Sequence, residues 1–211
     1  MLLVGGSTFG KIGSVSSDIH LEQLLGRALG IEVDFFYHDL IHAEDVADYL
    51  LKELMHEVCV LNFTLGDFLF RMSNQFQKKV IRTTRNLFPV FLKDRVKYIL
   101  FSIGLYTPRT NFDEFGYQVT RVCHIAKAKT KYVIFVFNLN LKPLALFQKE
   151  ILEEYCEIVR KVFETEFGTN LAVLDLSDLD LKYKVSDMHH LNEEGCRWLS
   201  QELASIIEVY F

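Results

Sequence analysis

The strongest constraint on this chain is an alternation. Six short apolar runs, Leu2–Val4, Val33–Tyr37, Val58–Phe63, Tyr98–Ile103, Tyr132–Asn138 and Leu171–Leu176, are separated by longer helical patterns. Several runs are apolar at consecutive positions, which suits strands covered on both faces, as in a parallel sheet. Between them, "DIHLEQLLGRALG" sets Leu21, Leu24, Leu25 and Ala28 on one face and ends at Gly30. Helical patterns follow in "HAEDVADYLLKEL", "DFLFRMSNQFQKKVIRTTRNLF", "FDEFGYQVTRVCHIAKA", "LALFQKEILEEYCEIVRKVFETEFG" and "NEEGCRWLSQELASIIEVYF". Strand–helix alternation predicts a three-layer α/β/α sandwich with a mostly parallel sheet of five or six strands.

With 211 residues, no internal repeat and no linker, residues 1–211 read as one domain. Half the residues are hydrophobic and only three are Pro, a folded rather than a disordered composition. A formal charge of −5 gives no reason to expect a nucleic-acid partner. No apolar run reaches the length of a membrane span, and "MLLVGG" reads as a strand rather than a leader, so a cytoplasmic location is expected. Cys59, Cys123, Cys156 and Cys196 form no CxxC pair, and each is expected to be a free thiol in apolar or helical surroundings.

Two polar features stand out. Lys78–Lys97 holds seven Lys/Arg and the single acid Asp94. It reads as a solvated helix face and loop, with a docking patch for an anionic substrate or carrier as the sharper alternative. His38 and His42 in "HDLIH" are four apart, but no third ligand is spaced nearby, so they read as surface or capping histidines and no metal is expected.

Ligand sites of parallel α/β sheets form at the carboxyl ends of strands. Ser7, in "GGSTFG", lies just past the first strand, between glycines that allow a sharp turn and close ligand approach. The stretch is neither a Walker loop nor GxGxxG, so a nucleotide site, with Asp39 as the acidic partner, is the weaker reading. A serine hydroxyl needs a base and the base gains from an orienting carboxylate. "DMHHLNEEG" follows the last strand and offers both: Asp187 and His190, three apart, can face one point, whereas His189 is worse spaced. Asn192, Glu193 and Glu194 then suit the start of the closing helix.

Together, "GGSTFG" and "DMHHLNEEG" resemble the first and last sequence blocks of the SGNH (GDSL-like) hydrolases. Gly5, Ser7 and Gly10 match G-D-S-x-(T)-x-G, and Asp187, His190, Asn192 and Gly195 match D-x-x-H-(L/P)-N-x-x-G. The resemblance implies an SGNH/flavodoxin-like sandwich. For the middle blocks, "VCVLNFTLGDF" offers Gly66 as the second-block glycine, and "YILFSIGLYTPR" offers Gly104 for the third block G-x-N-D. Tyr106 then stands where the family has its oxyanion asparagine, Thr107 stands at the aspartate, and residues 31–55 become an insertion. In the alternative register "FTLGDF" is the third block, with Gly66 at the asparagine and Asp67 at the aspartate, and the strand near Phe35 carries a second block without its glycine. The first register is preferred because it keeps Tyr98–Gly104 as a strand. Gly6 replaces the aspartate of G-D-S in either case.

The resemblance implies a serine hydrolase without cofactor. Ser7 is the nucleophile, His190 the general base and Asp187 its orienting carboxylate. Oxyanion donors come from Ser7 and Gly66, with Gly104 and Tyr106 completing the hole. The expected substrate is a small acyl ester or thioester, such as an acylated metabolite or glycan, cleaved by an esterase or deacetylase. An acyltransferase with a carrier-bound donor and a catalytically impaired binding protein are the alternatives.

Overall fold

The computed structural model describes residues 1–6, 20–38, 41–63, 65–68, 70–72, 90–137, 146–176, 179–184 and 190–210. Five parallel strands form the central sheet: β1 (Leu2–Gly5), β2 (Asp34–Tyr37), β3 (His56–Asn62), β6 (Thr130–Phe137) and β7 (Leu171–Asp175). Their order is β2-β1-β3-β6-β7. β1 is internal, and its last residue Gly5 is level with Tyr37 of β2 and Asn62 of β3. The chain therefore leaves three adjacent strands side by side at one edge. Residues 31–55, read above as an insertion, supply edge strand β2 and the helix after it.

Among the described residues, six helices accompany the sheet, beside the single turn α3 (Leu65–Phe68): α1 (Leu21–Leu29), α2 (Ala43–Lys52), α4 (Val90–Ser102), α5 (Phe112–Lys129), α6 (Leu146–Phe167) and α7 (Glu193–Tyr210). The period-2 geometry of the strands sorts their side chains between two cores. Leu2, Val4, Cys59, Leu61, Phe135 and Phe137 meet α2, α5 and α6 on one face. Leu3, Val58, Val60, Ile134 and Val136 meet α1 and α7 on the other. Both faces are apolar, which is why these strands read as continuous hydrophobic runs. Each such large side chain buried contributes roughly 1.5–3 kcal/mol.

One expected strand is not a strand. Tyr98–Ile103 lies mostly in helix α4. A run of consecutive apolar residues does not by itself separate strand from helix. What settles it is length and punctuation: thirteen residues stand between Pro89 and a glycine-led stop. Gly104 has φ 71°. Its N–H donates to Phe101 O at 2.9 Å, and Leu105 N–H donates to Leu100 O at 2.9 Å. This is a Schellman closure. A second departure is β4 (Phe70–Met72), which lies within a stretch that reads as helical and pairs antiparallel with β5 (Tyr106–Pro108) in a separate ribbon.

Candidate active site at the carboxyl edge of the sheet

Hydrogen bonds stitch the carboxyl edge together strand by strand. Gly6 N–H donates to Asn62 O at 3.0 Å, and His38 N–H donates to Gly5 O at 3.3 Å. Asn62 is 8 % exposed, and its Nδ2 donates to Val136 O at 2.7 Å. Leu176 N–H donates to Phe137 O at 2.7 Å. The backbone that enters Ser7 is thus held on both sides by its neighbours. Ser7 itself, with Gly10, lies outside the described residues.

The last block is anchored to the same edge from the β7 side. Lys184 and Leu191 form an antiparallel bridge, and the buried Lys184 Nζ donates to Leu176 O at 3.1 Å. Residues 185–190 lie between the two bridge partners. Asp187 and His189 are outside the described residues. His190 is half-buried at a bend immediately before Leu191.

Two residues of the block have defined structural work. Asn192 Oδ1 accepts Gly195 N–H at 2.9 Å, capping α7, and its Nδ2 donates to Lys182 O. Its N–H donates to Tyr183 O at 3.0 Å. Gly195 allows this closure, because a Cβ there would meet Tyr183 O at 2.2 Å. Asn192 and Gly195 clamp the three-residue helical turn Leu181–Tyr183 against the start of α7. They thereby fix the base of the segment that carries Asp187 and His190.

The middle-block residues are dispersed. Gly66 lies in α3, directly beyond β3. Gly104 closes helix α4 rather than a strand, so the register that used Tyr98–Gly104 as the third-block strand loses its basis. Tyr106 lies in β5 of the outer ribbon, and its hydroxyl accepts Gln148 Nε2 at 3.3 Å. Of the basic stretch, residues 78–89 lie outside the described residues.

Sequence reasoning missed a buried polar cluster beside this edge. Asp67, 3 % exposed, follows β3 by five residues. Its Oδ2 accepts Ala43 N–H at 2.8 Å. Its Oδ1 accepts Thr110 Oγ1–H at 2.7 Å and faces His42 Nδ1 at 3.2 Å. Asp45 Oδ2 accepts the His42 N–H at 3.0 Å, so His42 stands at the start of α2. Its capping position was expected, but the ring is buried. Arg109 Nη1 donates to His42 Nε2, and Tyr155 Oη donates to Thr110 O. Burial pushes the Tyr155 phenol above its ordinary range. The partners come from four separated segments, and the local signals were the His38/His42 spacing and Asp67 in the alternative register of "FTLGDF". Among the described residues, no group of three or more His, Cys, Asp and Glu is placed to hold a metal ion.

The cysteines are free. Burial pushes the Cys59, Cys123 and Cys156 thiols up to about 12, and Cys196 to about 11. Among the described residues, no helix is long and apolar enough to cross a membrane.

No protein-family model matches the chain, and no curated protein matches it by sequence. The fold does have solved counterparts. An α/β hydrolase enzyme, LAE5, from the metagenome of Lake Arreo superposes with TM-score 0.60 at 12 % identity, covering 97 % of this chain and 92 % of that one. The acetylxylan esterase Axe2 of Geobacillus stearothermophilus superposes with TM-score 0.55 at 12 % identity, covering 100 % and 93 %. A protein of Slackia heliotrinireducens assigned to the SGNH hydrolases gives 0.53 at 12 % identity, covering 97 % and 96 %. The chain has an SGNH-hydrolase-like fold, and these structural neighbours are hydrolases.

Proposed function

We propose that the protein is a serine esterase that cleaves a small acyl ester through Ser7, His190 and Asp187. One observation carries the reading. The first-block serine and the last-block histidine are 183 positions apart in sequence, yet the described residues beside them, Gly6 for one and Lys184 with Leu191 for the other, are tied to the carboxyl edge of one parallel sheet, where such folds place their sites. Ser7 attacks the acyl carbon as His190 takes its proton, and His190 returns that proton to the departing alcohol. Asp187 holds the imidazole tautomer. Water then attacks the acyl-enzyme by the same route and restores Ser7.

The oxyanion is held by the backbone N–H of Ser7. The position of α3 directly beyond β3 supports "FTLGDF" as the third block, so residue 66 contributes no side-chain donor. Losing one oxyanion donor typically costs on the order of 10²–10³ in rate, and a slow esterase is the expected outcome.

The test is hydrolysis of p-nitrophenyl acetate by Ser7→Ala, His190→Ala and the double variant. Each single change lowers kcat to background, and the double variant is little worse, because the residues act as a unit. Additive losses, or full activity in Ser7→Ala, would end this reading.

A further inference from the structure

We propose that Arg109 reads an anionic group on the substrate, a carboxylate or a phosphate. The proposal names the substrate class of the esterase site and rests on that reading. Arg109 is exposed and follows β5. Among the described residues, its guanidinium has one partner, His42 Nε2, and no carboxylate pairs with it.

The nature of that partner matters. Arginine cannot give up its proton, so His42 Nε2 is the acceptor. On the other side of the ring, His42 Nδ1 lies 3.2 Å from Asp67 Oδ1. Asp67 is itself fixed by Ala43 N–H and Thr110 Oγ1–H. A carboxylate in direct contact would both orient and neutralise the guanidinium. An imidazole brings no negative charge, so it orients the guanidinium and, among the described residues, leaves its charge and four further N–H donors unspent.

The backbone around Arg109 is equally fixed. Thr110 N–H donates to Asp67 O at 3.2 Å, Tyr155 Oη donates to Thr110 O, and Asn111 Oδ1 accepts Glu114 N–H at 2.9 Å at the start of α5. A long, rotamer-rich side chain is thus held before any ligand arrives, which lowers the ordering cost of binding. His42 and Asp67 follow β2 and β3, the two strands that flank β1. The arm therefore stands on the carboxyl edge of the sheet, where β1 ends at Gly5. A guanidinium fork matches carboxylate and phosphate oxygens in pairs.

The test compares two p-nitrophenyl esters of similar length, the neutral butyrate and the anionic hemisuccinate. The readout is the ratio of kcat/KM, anionic over neutral, in wild type, Arg109→Gln and Arg109→Lys. A hydrogen bond to a charged group is worth about tenfold to a hundredfold. The ratio should fall by that factor in Arg109→Gln, mainly through KM, and be partly restored in Arg109→Lys. It should also fall in His42→Leu, which removes the acceptor that positions the arm. Succinate and inorganic phosphate, as inhibitors of butyrate hydrolysis, show which oxyacid is preferred. An unchanged ratio in Arg109→Gln overturns the proposal, as does an equal loss on both esters. If wild type cleaves neither ester, the esterase reading fails separately. Arg109 is then judged by calorimetric titration of the intact protein with succinate and with phosphate. Binding that Arg109→Gln abolishes supports the anion site; no binding, or binding unaffected by the change, overturns it.

Discussion

Replacing Gly195 by alanine should destabilise the protein although it adds one methyl group at a helix position, where alanine is ordinarily favoured. The added Cβ would lie 2.2 Å from Tyr183 O and 3.1 Å from Leu191 Cβ. Cβ atoms do not approach such an oxygen within 3.0 Å, so the backbone must part by about 0.8 Å. The displaced carbonyl is the one that accepts Asn192 N–H, and the Asn192 side chain also holds Lys182 O. Overpacking of this kind costs roughly 1–3 kcal/mol, and two weakened hydrogen bonds add about 1 kcal/mol each. The intrinsic preference for alanine over glycine in a helix returns about 1 kcal/mol. The net cost is about 2–4 kcal/mol, which lowers Tm by about 4–16 °C for a chain of this size. Differential scanning fluorimetry or calorimetry reads this directly. Esterase activity, measured well below the new midpoint, should fall as well, because the clamp carries the segment that holds Asp187 and His190. A midpoint within 1 °C of wild type would refute the close approach and with it the clamp.

Other outcomes follow from the same geometry. Gly104→Ala should cost about 1 kcal/mol, from positive φ alone, since nothing lies within 4 Å of the added carbon; chemical denaturation showing no loss would contradict the helix stop. The cysteines predict an alkaline limit. Folded thiols near 12 stay protonated where unfolded ones, at about 9, ionise, so the unfolded chain binds fewer protons in that window and stability falls as pH rises through it. The loss is about 1.4 kcal/mol per pH unit for the fully buried Cys59. Urea midpoints at pH 8.5 and pH 10.5 should differ accordingly, and less so in Cys59→Ala; equal differences would remove Cys59 from the account. Asp67→Ala strands the Ala43 N–H, the Thr110 hydroxyl and the His42 ring at once, and should cost about 3 kcal/mol or more. A loss below 1 kcal/mol by denaturant titration would show the cluster to be solvated.

The inner strands β1, β3 and β6 were legible because they are buried on both faces, which writes an unbroken apolar run, and the part-buried edge strands β2 and β7 were legible from short apolar runs between helical patterns. The helix ends at Gly30 and Gly168 were legible for a backbone reason, since both adopt positive φ. The same apolar signature misled at Tyr98–Ile103. There the discriminating marks were Pro89 and Gly104, and these fix a helix of thirteen residues. β4 escaped notice because three residues in an outer ribbon are too few to show a period of two. The Ser7 and His190 segments stood out because each is locally unusual, with glycines around one and a carboxylate three residues before the other. The His42–Asp67–Arg109 cluster left almost no trace, since its members are 25 and 67 residues from His42 and meet only after β2, β3 and β5 are in place.

The esterase account stands on the nucleophilicity of one hydroxyl. The most direct measurement is incubation of the wild-type protein with a fluorophosphonate probe, followed by intact-mass and peptide mass spectrometry. The account predicts one adduct, on Ser7, that is absent in Ser7→Ala and strongly slowed in His190→Ala. No adduct on the folded wild-type protein, or an adduct on another residue that survives Ser7→Ala, would contradict it.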